Sequence, residues 1–250
     1  MAGYGQRDED LDKAHGVTEA HWEAFIDLVR PKEGQVILDL MGGSGAVAKQ
    51  LYKVNPNLNL LVMDAYEHQL RKAPSHFKRI IGDVRQMPLE DNSVDTVIIK
   101  MGLHELQLKD QEKSAKEIYR ILKPEGSFIN WMVYLEEQER KAFHDMVIEK
   151  DKICGLDDMA KNRYFPSYFE TLAYLYGAGF NKTTCSQIFG ALACSRDRLK
   201  GDFKGDEAKL NEWHAYMRDN WDNISSNFLS TDSGDNIIVN YPVRFIVAVK

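Results

Sequence analysis

The chain has 250 residues, 44% of them hydrophobic, with a formal charge of −6 and a pI near 5.7. That is enough for one sizeable core, and the acidic balance excludes a phosphate-binding face as the main surface, so no nucleic-acid partner is expected. Cys154, Cys185 and Cys194 form no CxxC pair, which points to a reducing, cytoplasmic setting and no metal, and no apolar run approaches the roughly 20 residues that span a bilayer.

Residues 1–16 read as a loose arm rich in glycine and acid. Thr18 then offers an N-cap, and Trp22, Phe25, Ile26 and Val29 recur at the spacing of one helix face until Pro31 stops them. Val36, Ile37, Leu38 and Leu40 predict a short buried strand, followed by Gly42, Gly43 and Gly45 and then a helical pattern at Ala46, Val47 and Leu51. Glycine suits such a turn, because a backbone that approaches a ligand must visit positive φ and has no room for a Cβ. A second apolar run over 58–63 ends at Asp64, about 20 residues past the glycines, where a strand-end acid can accept from ribose hydroxyls. A third strand over 77–81 runs into Gly82 and Asp83, and a fourth covers 94–99. Asp110 is expected to cap a helix through Leu122 that stops at LKPEG, with a fifth strand over 127–133.

Strands alternating with helices in this way imply a parallel sheet covered on both faces. Ligands of such sheets bind at the carboxyl ends of the strands, where the glycine turn, Asp64 and Asp83 all fall. From Tyr134 the rhythm changes. A charged helix over 136–152 is followed by an irregular stretch to Arg163, a helix opened by Phe165-Pro166-Ser167, and a strand near 183–189. Lysine and glutamate alternate along most of the helices, which reads as a solvated face. One helix in the excursion 195–236 carries Leu210, Trp213, Met217, Trp221, Ile224 and Phe228, a stripe read as core packing in preference to a ligand or dimer surface. The β-rich run 243–249 returns to the sheet.

Gly43 to Ala48 formally satisfies GxGxxA, so a dinucleotide-dependent oxidoreductase is the first alternative. Asp39 speaks against it: a carboxylate just before the glycines repels a pyrophosphate but can hold an ammonium group, directly or through water. Acids at three strand ends and no phosphate site suit S-adenosylmethionine.

The segments VILDLMGGSG, LLVMDAYEHQL, IIGDVRQMPLEDNSVDTVI, MGLHEL and IYRILKPEGSFI resemble the class I S-adenosylmethionine-dependent methyltransferases, in particular the group similar to the ubiquinone/menaquinone-biosynthesis enzymes. The resemblance covers about 36–133, with weaker echoes at LAYLYGAGF and VRFIVAVK. It implies an α/β, Rossmann-like, seven-stranded and mostly parallel sheet with helices on both faces, the last strand antiparallel, and helical insertions forming a lid. On this view residues 1–30 are an arm and helix, and 31–250 a cofactor-binding domain with insertions at about 136–165 and 195–236. S-adenosylmethionine is the implied cofactor and S-adenosylhomocysteine its product. Asp39, Gly43 and Gly45 match the family's acid-and-glycine motif, with Gly42 beside them; Met41 departs from it, since the family usually has glycine there. Asp64 matches the ribose-binding acid, Ala65 and Gln69 line the adenine side, Asp83 and Val84 match the adenine contacts, and Met101 and His104 lie beside the transferred methyl. His104 is the candidate general base. Tyr134, Tyr164, Phe165 and Tyr168 are candidate substrate contacts beside Phe169, for a small, partly apolar or aromatic acceptor. A homodimer stays open, as does a non-catalytic cofactor-binding module, for which Met41 is the reason.

Overall fold

The computed structural model describes residues 17–186, 189–193, 196–234 and 236–250; the N-terminal arm and Cys194 lie outside them. In chain order the helices are α1 (Glu19–Val29), α2 (Ala46–Val54), α3 (Glu67–Leu70), α4 (Leu108–Ile121), α5 (Glu137–Ile153), α6 (Asp157–Asn162), α7 (Tyr168–Ala178), α8 (Arg196–Asp202), α9 (Glu207–Asp219) and α10 (Trp221–Asn227). The strands are β1 (Val36–Leu40), β2 (Asn59–Asp64), β3 (Lys78–Ile81), β4 (Val94–Lys100), β5 (Leu122–Val133), β6 (Lys182–Cys185), β7 (Phe189–Ala193), β8 (Leu229–Asp232) and β9 (Ile237–Val249). They fall into two compact units. Among the described residues, 22–132, 169–186 and 244–250 make the first, and 17–21, 133–168 and those between 189 and 243 make the second. Among the described residues no helix is long and apolar enough to cross a membrane.

The first unit is built on the sheet order β3-β2-β1-β4-β5-β9-β6, with β1 to β5 parallel where they pair and the end of β9 antiparallel to β6. Ile37, Leu38, Val62, Met63, Val97, Ile98, Ile99, Phe128 and Ile129 are buried to 0%, so the central strands are covered on both faces and read as continuous apolar runs. Chain order reverses on either side of β1, which pairs with β2 and β4, and the crevice of a doubly wound sheet lies at such a point.

Two expectations for this unit are corrected. Helix α4 starts at Leu108 with Gln107 as its cap, because the Asp110 carboxylate is engaged elsewhere, 3.2 Å from Arg85 Nη1 and 3.6 Å from Lys113 Nζ. LKPEG is not a stop between elements but the beginning of β5. Val94 pairs with Leu122 and Thr96 with Ser127, so the extra residues of β5 bulge out, with Glu125 at φ 63°. Lys123 ties this bulge to Asp95 at 2.8 Å.

In the second unit β7 and β8 pair antiparallel with the first half of β9. Helix α5 opens on a capping box of Glu136 and Glu139, and Phe143 on it meets Phe165 at 5.1 Å, Tyr241 at 5.0 Å and Phe228 at 6.1 Å between ring centroids. The stretch expected to be irregular contains α6, and the single strand expected over 183–189 is two, β6 and β7. The single helix expected in the 195–236 excursion is three, α8 to α10, and Leu210, Trp213, Met217 and Ile224 are each buried to 2% or less, as core packing requires. The charges of α5 are not all solvated. Lys150 Nζ lies 2.6 Å from Asp151 Oδ1 and 3.1 Å from Asp202 Oδ2, while Arg163 Nε lies 2.6 Å from Asp151 Oδ2, all with side chains 0–7% exposed.

Candidate cofactor site

The turn after β1 is assembled from backbone outward. Gly42 N–H donates to the Met63 carbonyl at 3.1 Å and Gly45 N–H to the Gly42 carbonyl at 2.7 Å, which closes the turn against the end of β2. Gly43 and Gly45 have φ of 52° and 76°, and Gly45 caps α2. A Cβ on Gly42 would lie 2.6 Å from Asp39 Cγ, so glycine is obligatory there, whereas nothing lies within 4 Å of a Cβ at Gly43, leaving that backbone open to a ligand.

Asp39 and Asp64 converge on this turn. The Asp39 carboxylate, 2% exposed, accepts the Ala48 N–H from the first turn of α2 at 3.0 Å. Burial pushes its pKa up to about 7, against the Ala48 hydrogen bond and the charge of Lys100, which lower it; the Asp64 charge adds to the rise. Asp64 Oδ2 accepts from Gly43 N–H and its Oδ1 from Tyr66 N–H, both at 2.9 Å, and burial raises its pKa too. Asp64 thus joins the glycine turn to the loop in which Ala65 lies exposed and Gln69 half-buried.

Asp83 differs from this pair. It is half-exposed and held by Arg85, whose Nη2 is 2.5 Å from Oδ2 and whose Nε is 2.9 Å from Oδ1, so the guanidinium keeps the carboxyl below its usual range. Arg85 also reaches Asp110, and Val84 is buried beside it. Met41 and Met101 directly follow β1 and β4, and both have positive φ, 58° and 54°. Met41 thus holds a left-handed backbone of the kind glycine adopts without strain, and its Sδ would lie 2.9 Å from a Cβ on Gly102. His104 is buried in a single 3-10 turn, Leu103–Glu105, directly after Met101.

The aromatic candidates all belong to the second unit. Tyr134 and Phe165 are buried, the latter with its ring on Phe143, whereas Tyr164 is half-buried under the Arg140 guanidinium at 5.9 Å and Tyr168 is half-buried at the start of α7. Phe169 is 78% exposed. Among the described residues no group of three or more His, Cys, Asp or Glu side chains could hold a metal ion.

Sequence reasoning overlooks three participants. Lys100 closes β4 with its ammonium 5.5 Å from the Trp22 ring and 5.1 Å from the Trp131 ring. The signal was a lone cation at the end of an apolar strand; the two indoles come from distant segments.

Residues 38–130 match the family model described as a methyltransferase domain. That stretch lies within the first unit and carries the glycine turn with Asp39, Asp64 and Asp83. In sequence the chain is similar to C-methyltransferases over part of its length. It is 31% identical over 112 residues to the ubiquinone/menaquinone biosynthesis C-methyltransferase UbiE of Rubrivivax gelatinosus, covering 42% of each chain. To the 24-methylenesterol C-methyltransferase 2 of Arabidopsis thaliana it is 30% identical over 148 residues, 55% of this chain and 40% of the other. The matches span less than half the length of either relative. Of solved structures, the YcgJ protein from Bacillus subtilis superposes with a TM-score of 0.77 at 17% identity over 93% of this chain and 99% of that one. A Haemonchus contortus phosphoethanolamine N-methyltransferase 2, in complex with phosphomonomethylethanolamine and S-adenosylhomocysteine, gives 0.60 at 18% over 93% and 53%. At these identities the structural likeness is one of fold.

Proposed function

We propose that the protein transfers the methyl group of S-adenosylmethionine to a small, partly apolar or aromatic acceptor. The observation that carries this reading is the convergence of Asp39, the open backbone of Gly43 and Asp64 on one turn at the switch point of the sheet. In this reading Asp39, once ionised, holds the ammonium end of the cofactor, Asp64 uses its remaining lone pairs for the ribose hydroxyls, and Asp83 with Val84 flanks the adenine. The bound cofactor supplies a sulfonium methyl that is intrinsically electrophilic. The protein's remaining work is to orient the acceptor and exclude water, and orientation alone lowers such barriers by roughly 7 to 11 kcal/mol.

A base is needed only for an acceptor protonated at working pH. His104, in the turn after Met101, is the residue assigned to that task, and Tyr134, Tyr164, Phe165 and Tyr168 are assigned to the acceptor. Both curated relatives named above are C-methyltransferases, which makes carbon the first atom to test.

Calorimetry with S-adenosylmethionine and S-adenosylhomocysteine, followed by transfer of labelled methyl to a panel of phenols, enols, amines and thiols, tests the reading. Binding of both, with turnover on a small acceptor, is the expected result. Binding without turnover on any acceptor, or turnover confined to peptide or RNA, overturns it.

A further inference from the structure

The cofactor's charged end is assigned above to Asp39, and a buried carboxylate at that place needs a reason to be ionised before any ligand arrives. Burial favours its neutral form, which cannot attract an ammonium group. The backbone N–H of Ala48 offsets part of that cost, and the Asp64 carboxylate on neighbouring β2 works against it. The cation that acts on Asp39 is Lys100.

The register places the two on one face. Asp39 pairs with Ile98, and Lys100 lies two residues further along β4, so its Cα is about 8 Å from that of Asp39, within reach of a lysine stem. Lys100 in turn pairs with Trp131, and Trp22 of α1 stands edge-on to Trp131 with ring centroids 5.1 Å apart. The ammonium lies over both rings, at 5.5 Å and 5.1 Å, and Phe25 and Phe245 pack behind them. Two indole faces attract a cation and also limit where it can go, so the charge stays at the end of β4.

We propose that Lys100, caged by Trp22 and Trp131, is a positioning residue for the cofactor: it supplies a standing positive charge that offsets part of the cost of ionising buried Asp39 and so readies it for the ligand's ammonium group. This rests on the reading of Asp39 given under Proposed function. Lys100 acts through Asp39, at the approach side of the sheet, and plays no part in the methyl transfer itself. The groups that set the Asp39 proton are then Lys100 on β4, Asp64 on β2 and the N-terminal amides of α2.

The test compares wild type with Lys100→Met, Lys100→Gln and Lys100→Arg, each checked for folding by circular dichroism. Two quantities are read: the 13C carboxyl titration of Asp39 in the ligand-free protein, and calorimetric affinity for S-adenosylmethionine and S-adenosylhomocysteine at several pH values. Wild-type Asp39 should titrate near 7. In the Met and Gln variants the midpoint should rise by about one pH unit, affinity at pH 7 should fall about fivefold, and the deficit should close by about pH 9, where Asp39 is ionised in all variants. Lys100→Arg should restore both. An unmoved Asp39 midpoint in the folded Met or Gln variant overturns the proposal, and so does a deficit that is the same at pH 7 and 9, which would mean that Lys100 touches the ligand or holds only structure. A wild type that binds neither ligand would overturn the proposed function instead, while the ligand-free titration still decides the role of Lys100.

Discussion

Asp39 in the sheet unit and Asp151 in the second unit are both carboxylates shut away from water, and the chain balances them in opposite ways. Asp151 has a cation on each oxygen, Lys150 at 2.6 Å and Arg163 at 2.6 Å, and Lys150 goes on to a second acid, Asp202, at 3.1 Å. Two acids meet two bases and the charge closes on itself. Asp39 has a helix amide at 3.0 Å, one cation across the sheet and a second acid on the neighbouring strand, so its balance is left open. A closed network holds chain segments in register; an open one leaves attraction over for a ligand.

The sharpest test of the closed side is Arg163→Met, which leaves Asp151 with one cation. Breaking a buried pair costs about 3–5 kcal/mol, and urea unfolding should show that loss; a change below about 1 kcal/mol would make the network irrelevant to the fold. On the open side the expected effect is a slope. A carboxyl raised from 3.8 to about 7 binds more protons folded than unfolded between those values, so stability falls as pH rises through that window. Asp39 alone accounts for at most about 4 kcal/mol, and Asp64, also raised, adds in the same direction. Thermal unfolding of the ligand-free protein across pH should therefore decline from about pH 4 to pH 7, and Asp39→Asn should flatten most of it. Asp64→Ala removes the acceptor for the Gly43 and Tyr66 amides and should cost about 1–3 kcal/mol in the same unfolding assay, together with cofactor affinity. The smallest effect belongs to Arg85→Ala. Its partner Asp83 is half-exposed, so stability should change by less than about 1 kcal/mol, while the Asp83 carboxyl should rise toward its ordinary value in a carbon-detected titration.

The same contrast explains what could be read in the chain beforehand. The strands of the parallel sheet and the placing of Gly42, Gly43, Gly45 and Asp64 at their ends were legible because each depends on a local signal, an apolar run followed by a turn residue. What escaped depends on partners far along the chain. Lys150 and Asp151 sit in a helix whose alternating charges read as solvated, and only Arg163 and Asp202 make their burial tolerable. The fork that Arg85 places on Asp83 has no signal in the sequence pattern. Pro124 and Gly126 read as a boundary because a bulge that lets β5 start at once after α4 uses the same residues as a stop.

Met41 and Met101 hold left-handed backbones at two neighbouring strand ends, each at a cost of about 1 kcal/mol relative to a relaxed residue. A side chain there has few adjacent wells to wander into, whereas glycine has many. The backbone at these two strand ends is accordingly confined to narrow wells. For the cofactor proposed to bind there, such a turn has little thermal breathing to surrender, and Met41→Gly should weaken affinity through entropy while deleting no polar contact.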